Sequence, residues 1–339
     1  MSSPAPSILG LVAYAVIRTA QKEGLDPAPL FRAAGLTADQ APPSDLHLPV
    51  EGYHALWRSI TEATRPGFPT VVATASRLED NELFGFLAIS CESLGEAFAR
   101  TARYRILYNR GARWELQQEA DVTRLIWYHW PASRHDVGVN AAVEFAVADM
   151  CSAARQLSRT PIAPLEVRLV HAAVSEGHRR ALHDFFGVAP RFGAALDELV
   201  WPPDVMATPV ASFNSRLRDY FDQQCRRMVE QLGSADGLAT QVRKALIAVM
   251  DGGDSGIEAI ARRLGMSSRS LQRRLSEEQT SYNDLLAEIR QEFAKRYLAR
   301  KTMTASEVAY LIGFTEPPAF FKAFKRWTGL TPREFQERG

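Results

Sequence analysis

The sequence has few cysteines, no long apolar run and almost no net charge. Three cysteines among 339 residues, at positions 91, 151 and 225, form no CxxC pair, which excludes a disulfide framework and favours a reducing compartment. No apolar stretch approaches the roughly twenty residues that span a bilayer. No basic segment followed by an apolar one marks a signal peptide. We therefore expect a cytoplasmic protein with no membrane partner.

The common catalytic and nucleotide-binding motifs are also missing. The chain contains no GxSxG, HExxH, GxxxxGK[ST] or GxGxxG pattern. His178 and His183 are five residues apart rather than the three or four that place two ligands on one helix face, and no cysteine joins them. We expect no catalytic residue, no metal and no cofactor, and interpret the histidines as ordinary core or surface residues. The histidines considered are His129, His135, His171, His178 and His183.

The net charge of +1 hides an asymmetry along the chain. Residues 235–339 carry 17 Lys and Arg against 13 Asp and Glu, so the basic excess lies in the last third. Such an excess suits a surface that faces phosphates.

That last third repeats one helical pattern, over 257–276 and again over 306–327. In each copy an alanine and a glycine are four residues apart, Ala261 with Gly265 and Ala309 with Gly313. Each glycine ends a short amphipathic helix, and a second helix follows. Two helices joined by a tight glycine turn are typical of a helix-turn-helix that places its second helix in a major groove.

The second helix of each copy presents different side chains outside its apolar anchors. In the first, Leu271 and Leu275 are predicted to face the core, which leaves polar and basic groups suited to base edges and phosphates. In the second, Phe320, Phe324 and Trp327 are the predicted anchors, and the charged residues left outside are all cations, beside prolines, Ala319 and Phe321 that offer no side-chain donor or acceptor. The outward residues are Ser268, Arg269, Gln272 and Arg273 in the first helix and Lys322, Lys325 and Arg326 in the second.

The chain is expected to form two domains, 1–233 and 234–339, joined near the turn-forming segment 233–237. The second should be all-α, with a long helix from Ser281 to about Arg300 between the two units. Sequences that fit capping boxes begin at Ser255, Thr304 and Thr331. The first domain should be α+β, several helices preceding a small sheet. Predicted helices cover 8–35 in two parts, 50–63, 83–90, 94–108, 137–157, 176–186, 213–232 and 239–250, and predicted strands cover 114–118, 124–130, 165–171, 191–192 and 199–202.

An aromatic cluster in the first domain is a candidate ligand pocket. Alternation along a strand sends Trp127 to one face and Tyr128 and Trp130 to the other. Packing of these rings in a core is the alternative interpretation. The candidate ligand-binding residues are Tyr104, Tyr108, Trp127, Tyr128 and Trp130.

The C-terminal stretch 240–338 resembles the AraC/XylS transcription regulators, most specifically in 312–314 and 320–332 and also in 261–275. The resemblance implies two helix-turn-helix units in consecutive major-groove turns. This chain departs from the family in two places: Phe321 stands where a small polar residue is common, and Pro317 and Pro318 occupy the variable reading positions. More loosely, the first 200 or so residues resemble the effector domain of the branch named for arabinose, which does not imply a sugar ligand. The resemblance implies DNA contacts at Ser268, Arg269, Gln272, Arg273, Pro317, Pro318, Phe321 and Lys322.

These features predict a sequence-specific DNA-binding transcriptional regulator, controlled by a small molecule bound to the N-terminal domain. The expected partners are double-stranded DNA, an effector, a second copy of the chain in a homodimer and, for an activator, RNA polymerase. One alternative is a regulator whose N-terminal domain only dimerises. The other is an enzyme or adaptor that a DNA-binding tail localises.

Overall fold

The computed structural model describes the chain outside residues 1–5, 38–40, 44, 130–135, 235–237, 251–252, 279 and 339. The described chain forms two compact units, Pro6–Gln231 and Leu232–Gly339. Residues 235–237 of the predicted linker lie outside the described residues.

The N-terminal unit combines helices with two sheets, and this confirms the α+β prediction. Its helices are α1 (Gly10–Lys22), α2 (Pro27–Ala34), α3 (Val50–Ala63), α4 (Phe68–Ala75), α5 (Glu82–Ile89), α6 (Leu94–Tyr104), α7 (Val137–Ser158), α8 (Glu176–Phe186) and α9 (Ser215–Ser234). Its strands are β1 (Ser7–Leu9), β2 (His47–Pro49), β3 (Ala112–Gln118), β4 (Thr123–His129), β5 (Glu166–Leu169), β6 (Arg191–Phe192) and β7 (Asp197–Trp201).

The larger sheet has the strand order β3-β4-β7-β5-β6 and is antiparallel except where β5 pairs with β6. In the register of β4 and β7, Leu125 lies opposite Leu199, and both side chains are fully buried. This sheet and the helices enclose one apolar core.

Helix α7 runs through that core. Asp136 caps its N-terminus by accepting hydrogen bonds from the backbone N–H groups of Gly138 and Val139 at 2.8 and 3.2 Å. Its Phe145 ring packs 5.3 Å from the ring of Trp57 on α3. By length and composition α7 is the one helix of the described residues apolar enough to cross a membrane, but 67% of its apolar window is buried inside the protein. It is therefore a core helix.

One local prediction for the N-terminal unit is wrong, and one helix was not predicted. Residues 8 and 9 belong to β1, which pairs with β2, so the first helix begins at Gly10. The segment Phe68–Ala75, for which no element was predicted, is a helix that begins after Gly67 and carries Pro69 in its first turn.

The C-terminal unit is helical throughout its described residues, as predicted. It contains α10 (Leu238–Ile247), α11 (Ile257–Arg263), α12 (Ser268–Glu277), α13 (Tyr282–Arg300), α14 (Ala305–Leu311), α15 (Pro317–Thr328) and α16 (Pro332–Arg338). The long helix α13 contacts α14, α15 and α16 directly, and it also contacts α10, which packs on α11 and α12. Two helix-turn-helix units joined by a long helix are thus confirmed.

Of the three predicted capping boxes, two form. Thr304 and Glu307 exchange side-chain-to-backbone hydrogen bonds at the start of α14, and Thr331 and Glu334 do so at the start of α16. The box predicted at Ser255 is wrong, because α11 begins one residue later with Gly256 as its N-cap and no side-chain cap.

Candidate functional site: two reading helices and an apolar cavity

The first helix-turn-helix unit is built by α11 and α12. Gly265 ends the turn after α11 with a φ of 70°, a left-handed conformation that glycine adopts without strain. Ser267 then caps α12 by accepting a hydrogen bond from the N–H of Ser270 at 3.2 Å. Leu271 and Leu275 are fully buried, so the rest of α12 is left to face solvent.

The predicted first contact strip lies on the open side of α12. Arg269, Gln272 and Arg273 are exposed, and Ser268 is half-buried. The guanidinium of Arg273 lies 3.3 Å from the carboxylate of Glu277 in an exposed pair. Such a pair is worth little in water, so the guanidinium remains available for another partner.

The second unit depends on an arginine from the long helix. Arg290 donates hydrogen bonds to the carbonyl oxygens of Ile312 and Gly313 at 2.9 and 2.6 Å, and its guanidinium lies 4.7 Å from the centre of the Phe314 ring. Gly313 has a φ of 83°. Arg290 therefore fixes the turn between α14 and α15 against α13.

Helix α15 carries fewer exposed polar side chains than α12. Its first two positions are Pro317, half-buried, and Pro318, exposed, where a missing N–H costs no intrahelical bond. Phe321 is 37% exposed. Phe320 and Phe324 are fully buried as predicted, whereas the third predicted anchor, Trp327, is only half-buried. The cations Lys322, Lys325 and Arg326 are all exposed.

The two reading helices can therefore do different chemistry. Arginine and glutamine side chains can donate to base edges, and glutamine can also accept. The prolines and Phe321 of α15 offer apolar contact, while its three cations suit phosphates.

A second candidate site lies inside the N-terminal unit, where an apolar cavity of about 140 Å³ opens between α3, α5, α6, α7 and the strands β3 and β4. Two of the predicted ligand-binding aromatics, Tyr108 and Trp127, line it. The other three predicted ligand-binding residues are Tyr104, Tyr128 and Trp130. Tyr104 is not part of the lining, and its phenol donates to Asp222 at 2.8 Å. Tyr128 is not part of the lining either, and its ring lies 4.1 Å beneath the guanidinium of Arg113. Trp130 lies outside the described residues.

The cavity also has polar lining residues that were not among the predicted ligand-binding residues. They include Tyr53 on α3, Trp114 on β3 and Asp149 on α7. Burial raises the pKa of Asp149 to about 6. One available signal was the helical spacing of Asp149 with Ala142, Ala146 and Ala153, which put an acid on an otherwise apolar face.

Of the histidines considered, two form a buried cluster with an acid of α7. The Nε2 atoms of His171 and His178 lie 3.1 and 2.8 Å from Oε1 of Glu144. Burial by itself would raise the pKa of Glu144, but the two imidazoles outweigh it and hold that pKa below its ordinary value. The three cysteines are buried and unpaired, and neither this cluster nor any other group of three or more such side chains in the described residues is arranged to hold a metal ion.

Known protein families match both parts of the chain. Residues 24–210 match the arabinose-binding domain found at the N-terminus of AraC transcription regulators, and residues 260–338 match a helix-turn-helix domain. The chain belongs to the AraC family. This AraC-family member is a DNA-binding transcriptional regulator with an N-terminal domain of the effector-binding type.

Individual relatives of this AraC-family protein are regulators too. It is 29% identical over 273 residues to the ornithine utilization regulator of Pseudomonas aeruginosa, which covers 80% of this chain and 79% of the relative. It is 40% identical over 87 residues to the regulator VirS of Mycobacterium tuberculosis, covering 26% of each chain. The crystal structure of the regulator CdpR from Pseudomonas aeruginosa aligns over 94% of this chain and 97% of its own, with 19% identity and a TM-score of 0.43.

Proposed function

We propose that the two helix-turn-helix units of this regulator divide the work of binding DNA. In this proposal α12 reads base edges through Arg269, Gln272 and Arg273, while Ser268 lies at the edge of the same strip. The observation that carries it is the exposed polar strip of α12 over a fully buried leucine pair. Helix α15 binds the phosphates and adds apolar contact. The apolar contact with the groove comes from Pro317, Pro318 and Phe321. The phosphate backbone is bound by Lys322, Lys325 and Arg326.

Three single variants test this division. The preferred operator is first selected from random duplex DNA with the full chain, and affinity is then measured by fluorescence anisotropy against that operator and against scrambled DNA. Arg273→Ala should weaken operator binding by about 1–3 kcal/mol and relax the base preference at one position. Lys325→Ala should weaken binding to both DNAs by the same factor, and it should lower the slope of log affinity against log salt concentration by about 1.

The matched control is Arg333→Ala on α16, an exposed cation outside both reading helices. It should leave operator affinity and base preference nearly unchanged. The division is refuted if Arg273→Ala leaves the base preference intact, or if Lys325→Ala changes it.

We further propose that the cavity of the N-terminal unit binds a small-molecule effector that controls operator binding. Its size, its mainly apolar walls and its few polar groups support this. Thermal shift of the full chain against a metabolite panel tests it, because a ligand that binds the folded state raises the melting temperature. A stabilising compound must also change operator affinity. If no compound does both, the effector proposal fails and a purely dimerising N-terminal domain is favoured.

The regulator is further proposed to act as a homodimer in the cytoplasm. Leu217, Tyr220 and Met228 of α9 share one helix face and are 49%, 54% and 40% exposed. A second copy of the chain would cover them, and two linked DNA-binding domains raise affinity through effective concentration. Sedimentation of Leu217→Asp against the wild type tests it, since a dimer built on this face should become a monomer.

A further inference from the structure

We propose that the cavity of the N-terminal unit selects a small organic amine, whose ammonium group pairs with Asp149 while aromatic rings surround its apolar body. The inference deepens the proposed effector function and rests on it, because it names the chemical class of ligand that the cavity takes.

The carboxyl group of Asp149 is the first observation. Asp149 lies on the face of α7 that lines the cavity with Ala142, Ala146 and Ala153. The neighbouring Ser76 side chain lowers its pKa, against the larger effect of burial. Among the described residues, no Lys, Arg or His forms an ion pair with it. Asp149 is the one acid among the described lining residues, His54 is the one basic side chain there, and the two form no ion pair.

The protonation state of that acid decides the charge of its partner. Burial raises the pKa of Asp149 to about 6, so the group is still mostly ionised at pH 7.5. A buried carboxylate without a cation is costly, and an ammonium group would relieve that cost. An anionic ligand would add a second negative charge to the same apolar space.

The walls of the cavity are the second observation. Tyr53, Phe84, Tyr108 and Trp127 line it, and the rings of Phe84 and Tyr108 pack edge to face at 5.5 Å. The faces of aromatic rings attract cations, most strongly where water is excluded. The same walls favour an apolar or aromatic ligand body.

The volume limits the size of this amine. A cavity of about 140 Å³ is close to the roughly 150 Å³ apolar cavity that accepts benzene. Benzylamine, benzyl alcohol and benzoate thus form a suitable probe series, because they share one ring and differ in charge.

The experiment measures binding of these three probes to the full chain at pH 7.5, by thermal shift and by calorimetric titration. Benzylamine should bind at least about tenfold more tightly than benzyl alcohol, as expected for a charge-assisted hydrogen bond, and benzoate should bind least. In Asp149→Asn this order should vanish while benzyl alcohol still binds. Without probe, Asp149→Asn should melt no lower than the wild type, since the amide removes a buried charge.

Ala146→Leu, which adds volume one helical turn from Asp149, should block every probe and so locate binding in the cavity. If benzyl alcohol binds as well as benzylamine, or if Asp149→Asn keeps the preference, the amine proposal is overturned and an effector cavity of other specificity stands. If no probe binds, the amine proposal is likewise overturned, and the effector function is then judged by the metabolite panel alone.

Discussion

The buried acid of α7 is the most sensitive point in the N-terminal unit. Glu144 is 5% exposed and lies between His171, just beyond β5, and His178 on α8. Nδ1 of His178 accepts the backbone N–H of Val174 at 3.1 Å, which leaves its proton on Nε2, facing the acid. Glu144→Gln keeps the shape but removes the charge. Removing one partner of a buried pair costs about 3–5 kcal/mol, and the amide can still accept one hydrogen bond, so we expect the lower end.

The free energy of unfolding that Glu144→Gln loses should depend on pH and pass through a maximum. The pKa of Glu144 is lowered in the fold, so its contribution is present above the unfolded value of 4.5 and is lost as pH falls through the folded pKa. Burial opposes the charge on His171, yet Glu144 raises the pKa of that imidazole. Its contribution is therefore complete below the unfolded value of 6.5 and is lost as pH rises through the folded pKa. The difference between wild type and variant should be largest between about pH 4.5 and 6.5.

Urea unfolding followed by tryptophan fluorescence measures this difference, because five of the six tryptophans belong to the N-terminal unit. The control is Glu166→Gln, which removes a half-exposed acid paired with Arg168 and should cost less than about 1 kcal/mol. A loss below about 1 kcal/mol for Glu144→Gln, or one that does not change with pH, would refute the account of the cluster as a buried ion pair.

Two further changes test the packing and the helix starts. At Gly138 an added Cβ would lie 2.1 Å from the carbonyl oxygen of His54, so Gly138→Ala should lower the free energy of unfolding by about 1–3 kcal/mol. Gly177→Ala, whose Cβ meets only the Ser175 hydroxyl at 3.7 Å, should be neutral or stabilising, and equal losses at both sites would contradict this account. Thr304→Ala removes the hydroxyl that accepts the Glu307 N–H in a capping box, and it should cost the C-terminal unit about 1 kcal/mol, whereas Ser306→Ala on the same helix should not, as thermal melts would show.

The DNA-binding unit was largely predictable because its signals are local. The buried and exposed positions of α12 follow from residues three and four apart, and the turn at Gly265 follows from one glycine with positive φ. Even here a local pattern misled, since Ser255 fits a capping box but α11 starts after it. Nothing in the spacing indicated that Arg290 would reach the second turn, because the two segments are more than twenty residues apart.

The N-terminal unit was less predictable because its site depends on which elements meet. Tyr104 and Tyr108 are one helical turn apart in sequence, yet Tyr108 lines the cavity and Tyr104 binds Asp222 on α9. The chain leaves α6 through a short 3-10 turn after Tyr104, which ends the regular spacing of the two rings. A sequence pattern gives the faces of an element but not its neighbours.

The sequence by itself determined the class of this protein. The repeated alanine-to-glycine turn, the apolar anchors and the basic excess are properties of neighbouring residues, and they sufficed for a helix-turn-helix DNA-binding protein, while the resemblance of 240–338 to the AraC/XylS family indicated its type. Only the tertiary structure decided where a cavity remains, that Asp149 and Trp114 line it, and that Glu144 meets two histidines. Those features arise from gaps and contacts between segments far apart in the chain, and close packing between whole elements creates them rather than any local pattern.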